Sequence, residues 1–139
     1  EAVKKAQKLE KTHPTEFFGA AAEYYVEQKI NDAALLYYLG QLRYRYFMEI
    51  NPDDNPTGDR AVFASLQSTI GSEINYALGE DVDNYVKILT EVIEWGDIYD
   101  SKFCSKEKNP EKFAEILTGL KELKQYAIDN KESIIEQRK

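Results

Sequence analysis

The stretch Leu35–Phe47 reads LLYYLGQLRYRYF, and its spacing decides the fold. Five of its thirteen residues are aromatic, two are arginine, and none is acidic or proline. Leu35, Leu39, Leu42 and Phe47 fall on one side of a helical projection, with Tyr38 and Tyr46 beside them. That is the recurrence of an amphipathic helix, not the alternation of a strand. Tyr37 and Tyr44 are seven apart and project together on another side, with Gln41 between them and Arg45 near. The leucines and Tyr38 are expected in the core. Two readings stay open for the second face: another helix, such as the last one, covers it, or it opens as a docking surface. Tyrosine and arginine suit docking because both join broad contact area to directional polar atoms.

Working outward, punctuation divides the chain into helices. Glu1–Lys11 is short and charged, with Val3, Ala6 and Leu9 at helical spacing. Pro14 fits a first helical turn, where its missing N–H has no intrahelical partner, and that second helix is expected to run to about Gln28. Asn31 is a candidate cap for the third helix, which ends near Ile50. NPDDNPTGDR, Asn51–Arg60, is a loop by its prolines, glycine and aspartates. Asp59 is expected to cap a fourth helix, Arg60–Leu78, which Gly79 ends in a left-handed conformation. Asp81 or Asp83 starts a fifth helix through about Trp95, and Asn109-Pro110-Glu111 starts the last. Phe63, Leu66, Ile70, Ile74 and Leu78 recur in threes and fours, as do Val82, Val86, Leu89 and Ile93. Phe113, Ile116, Leu117, Leu120 and Leu123 do the same, while Gly119 weakens its helix by about 1 kcal/mol relative to alanine. The expected architecture is all-α, one domain over residues 1–139, a five- or six-helix bundle of antiparallel hairpins.

Composition narrows the chemistry. The chain has 139 residues, 25 acidic against 18 basic, and a formal net charge of -7. A pI near 4.8 argues against a nucleic-acid partner, since phosphate affinity needs a basic footprint. It permits a basic protein partner, because opposite potentials speed encounter. No apolar run approaches the roughly 20 residues that span a bilayer. One cysteine, Cys104, excludes an intramolecular disulfide. The chain begins at Glu1, as it would after removal of a signal peptide, so both cytoplasm and periplasm stay open.

Residues Phe18–Tyr46 resemble one tetratricopeptide-type hairpin. The large, small and aromatic positions of that family fall on Phe18, Ala21, Ala22, Tyr25, Ala34 and Tyr38. The usual proline after the second helix is replaced by Tyr46, and Tyr85 stands where the next unit would want a small residue. The resemblance implies a repeat-like first half and a groove for peptides. By size, charge and lack of catalytic motifs, the chain is also similar to small acidic bacterial immunity proteins that neutralise a toxin.

Chemical motifs are few. Asp53, Asn55, Thr57 and Gly58 occupy positions one, three, five and six of a calcium loop, but position twelve is Ala64 where the bidentate glutamate belongs. His13 is the only histidine and precedes a proline, as a cap or surface residue would. Cys104 lies in KFCSKEK without a nucleophile signature, although lysines beside it can lower a thiol pKa. The glycines never cluster into a phosphate loop. The expectation is therefore a non-enzymatic protein-binding module without metal or cofactor, a steric inhibitor of a basic partner. Tyr37, Gln41, Tyr44 and Arg45 would anchor, and Asp53, Asp54 and Asp59 would steer. The alternative is a tetratricopeptide-like scaffold or complex subunit.

Overall fold

A helix that is apolar around its whole circumference must be covered on every side. α3 (Ile30–Ile50) is that helix here, buried almost without interruption from Ala33 to Tyr44. In the computed structural model, which describes residues 1–52 and 58–137, it is touched by six of the other helices. These are α1 (Ala2–Leu9), α2 (Thr15–Val26), α4 (Asp59–Leu66), α5 (Ser72–Leu78), α6 (Val82–Ile98) and α7 (Pro110–Asp129). α8 (Lys131–Gln137) packs on α6 and α7. No strand occurs among the described residues. One hydrophobic cluster runs from Ala2 on α1 to Ala127 on α7. Each fully buried leucine or phenylalanine in it contributes about 1.5–3 kcal/mol relative to exposure.

Small residues set the closest approaches. A Cβ on Gly40 would lie 2.8 Å from the Phe17 Cβ and 3.1 Å from the Phe18 ring, so α2 can lie against α3 only because residue 40 has none. At Gly71 a Cβ would collide with the Tyr37 hydroxyl. That contact coincides with a π turn, Gln67–Gly71, which joins α4 to α5. The sequence reads this segment as one regular helix, Arg60–Leu78. The structure widens it where the Tyr37 ring presses in, and hydroxyls help: Thr69 Oγ1 donates to Ser65 O at 2.8 Å, and Ser68 Oγ to the same carbonyl at 3.1 Å.

Because α4, the π turn and α5 run on without a break, the described residues form seven helical rods. That is one more than the sequence's upper count. The extra rod arises at Asn130, whose backbone N–H and side-chain Nδ2 both donate to Tyr126 O at 2.9 Å and separate α8 from α7.

The caps depart from expectation in three places. Asn31 lies inside α3, and its Oδ1 accepts from Asn84 Nδ2 at 2.7 Å, tying α3 to α6. Gly79 stays right-handed, at φ -64°, because the chain continues turning in the same sense after α5. Asp59 is the first residue of α4, with Gly58 at the cap position, and accepts from Tyr44. Asp81 and Asn109 do cap α6 and α7, accepting from the N–H of Asn84 and Lys112 at 3.1 Å each. The left-handed position among the described residues is Gln28, at φ 64°, where the Lys29 N–H reaches back to Tyr24 O and ends α2.

Candidate functional site

The tyrosine and arginine content of α3 is spent mostly inside. Tyr37 is 1 % exposed and Tyr44 0 %, which corrects their placement on an open docking face. What covers them is α2 and the α4–α5 rod rather than the last helix. Tyr37 meets the Phe18 ring edge-on at 5.5 Å, and Tyr44 meets Phe63 at 5.6 Å. Tyr38 donates to Asn75 and shares a 2.9 Å bond with the Tyr85 hydroxyl. Tyr46 donates to Ser105 O at 2.8 Å and accepts from the Asn109 N–H at 3.0 Å. Burial pushes all four phenols up; at Tyr44 the neighbouring Asp59 carboxylate adds to it.

Arg43 faces the opposite side and is equally enclosed. Its Nε donates to Glu10 Oε1 at 2.8 Å and its Nη2 to Glu10 Oε2, while the Trp95 indole donates to the same carboxylate at 2.9 Å. The Glu10 carbonyl takes the N–H groups of Lys102 and Phe103. This clamp joins α1, α3, α6 and the 99–105 connector.

His13 sits at one corner, edge-on to Tyr44, Phe47 and Phe103 at 5.2–5.4 Å. The Thr15 backbone N–H, which can only donate, points at His13 Nδ1 at 3.1 Å. The neutral ring therefore carries its proton on Nε2, which faces Asp59 Oδ1 at 3.8 Å. Asp59 also accepts from the Tyr44 hydroxyl at 2.7 Å, so its charge serves internal bonds. Two of the expected site residues, Tyr44 and Asp59, are thus brought together, as a structural pair. Asp53 and Asp54, with most of the calcium-loop match, lie outside the described residues.

Cys104 is buried, and burial raises its thiol despite Lys108 nearby. No group of three or more histidine, cysteine, aspartate or glutamate residues placed to hold a metal occurs among the described residues.

The other two expected residues, Gln41 and Arg45, line a groove of about 390 Å³ between α3 and α7, with Leu42, Glu115, Ile116, Gly119, Leu120 and Leu123. Gln41 is held by its Nε2, which donates to the Tyr37 hydroxyl at 2.9 Å. Arg45 is exposed and lies 5.0 Å over the Phe63 ring. Glu115 is paired with Lys112 at 3.0 Å. The α7 wall escaped the sequence reading, which took Ile116, Leu120 and Leu123 simply as core. The signal that could have found it was Gly119, a glycine in mid-helix. No protein-family model, curated protein or solved structure matches this chain.

Proposed function

We propose that the chain is a non-enzymatic protein-binding module whose leading role is steric inhibition of a protein partner, in the manner of a bacterial immunity protein that neutralises a toxin or effector. The α3–α7 groove carries this reading. Most polar groups of α3 are tied up in internal bonds, whereas Arg45 is exposed and lines this partly apolar cleft. An aromatic scaffold with an exposed, partly apolar groove favours contact by shape, with little ordering on binding. The net charge of -7 would speed encounter with a basic partner.

The test is capture with the full chain from its source cells, followed by activity assays of what is captured. One stoichiometric, salt-resistant partner that loses its activity in the complex supports inhibition. Several weak partners, or one whose activity is unchanged, sink it.

A second reading is a tetratricopeptide-like scaffold, with α2 and α3 as an antiparallel hairpin that docks peptides. The close approach of α2 to α3 at Gly40, beside the buried Ala21 and Ala34, supports it. It predicts micromolar binding of varied extended peptides, where an inhibitor shows one tight cognate.

A further inference from the structure

Gly119 lies in the middle of α7, where glycine weakens a helix relative to alanine. At Gly40 and Gly71 neighbouring side chains fill the space that a Cβ would need. At Gly119 nothing lies within 4 Å of that position, so the packing of this chain does not call for a glycine. The missing side chain bares the α7 backbone beside Ile116, Leu120 and Leu123, with Leu42 of α3 across the groove. Tyr126, two turns further along, falls on the same side as Gly119 in helical projection and is exposed. The apolar strip therefore continues past the groove.

The rim has an unmatched charge. In a chain with 25 acidic and 18 basic residues, Arg45 has no carboxylate within ion-pair distance among the described residues. The one acid on the groove, Glu115, is taken by Lys112. The Arg45 guanidinium carbon lies 5.0 Å over the Phe63 ring, and a guanidinium of this kind can take a carboxylate through two N–H donors.

We propose that this groove receives an amphipathic helix of a protein partner, with apolar residues one and two turns apart seated along Ile116, Gly119 and Leu123, and an acidic residue bound to Arg45. This rests on the protein-binding reading and specifies the segment recognised. A helix fits because a bare glycine backbone between two ridges of side chains lets another helix approach closely, and because groove-bound helices read through anchors at i, i+3 or i+4 and i+7.

The test is selection from a display library of randomised peptides about four helical turns long, against the full chain, followed by affinity measurement on synthetic copies. Enriched peptides should share the apolar spacing and carry Asp or Glu at a constant offset from it. Their affinity should fall about tenfold or more with Gly119→Trp and with Arg45→Glu, and by less with Arg45→Lys, which keeps the charge. Circular dichroism and thermal melts establish that the variants are folded; should Gly119→Trp fail to fold, Gly119→Lys replaces it.

Peptides that bind equally well to all variants overturn the groove and leave the protein-binding reading standing. Enriched peptides without the apolar spacing or the acid overturn the helix. Self-association of the chain that Gly119→Trp abolishes would seat a second copy there and overturn the partner. A library that enriches nothing overturns the proposal, and the protein-binding reading falls with it only if capture from the source cells also yields no partner.

Discussion

Removing the Arg43 guanidinium would leave the Glu10 carboxylate buried against Trp95 with its charge unanswered. An unpaired charge at such a site costs about 3–5 kcal/mol, so Arg43→Met should lower stability by that order in urea melts. The pair itself need not be strongly stabilising, since two desolvated charges roughly offset their attraction. A double change of Glu10 and Arg43 to apolar residues should therefore recover much of the loss. At Gln28 the direction reverses. A non-glycine residue at φ 64° costs about 1–2 kcal/mol, so Gln28→Gly should stabilise by about 1 kcal/mol after its entropic cost, read as a higher melting temperature. Neither role was legible beforehand. Glu10 and Arg43 are 33 residues apart, and nothing local marks them as partners. Gln28 was taken simply as the end of its helix.

Two glycines in helical segments make opposite predictions. Alanine at Gly71 has to displace the Tyr37 ring from the π turn, so Gly71→Ala should destabilise and disturb the near-ultraviolet signal of the tyrosines. Alanine at Gly119 meets open space and should stabilise by about 1 kcal/mol in the same melts, with that signal unchanged. The contrast separates a glycine kept for internal packing from one that the fold does not need. The 99–105 connector carries its own pH dependence. Burial pushes the Asp100 carboxyl up, but the Lys106 N–H, the Ser105 hydroxyl and the Ser101 N–H outweigh that, and its pKa lies below the usual value. This contribution is present above the unfolded pKa near 4 and is lost as pH falls through the lower folded value. Asp100→Asn should thus reduce stability at pH 7 more than at pH 3. Equal losses at both would remove the carboxylate from the account.

For the molecule as a whole the tyrosines set the alkaline limit. Burial raises the phenols of Tyr37, Tyr38, Tyr44, Tyr46 and Tyr85. Stability from a raised pKa is complete below the unfolded value, about 10, and is lost as pH rises through the folded values. Unfolding should therefore set in above about pH 10. The chain has ten tyrosines, so the absorbance of the last five to ionise should appear together with loss of the helical dichroism, and ionisation of more than five in a still-helical protein would contradict this. Docking belongs to the same scale, since the groove is built from α3 and α7, whose facing residues are more than 60 positions apart in the chain.

Helical period, the helix starts near Asp81 and at Asn109-Pro110, and the proline boundaries are local properties, decided by neighbours within a turn or two, and the sequence by itself determined them. An all-α chain with Leu35, Leu39 and Leu42 in its core follows from such short-range physics. Which way the second face of α3 points does not. Tyr37, Gln41, Tyr44 and Arg45 look alike in projection, yet α2 and the α4–α5 rod cover the two tyrosines while the groove takes Gln41 and Arg45. That division depends on where Gly40 and Gly71 let helices approach, and so on contacts between residues distant in the chain. Only the tertiary structure decided it, because helical period fixes the direction of a side chain and not what stands opposite.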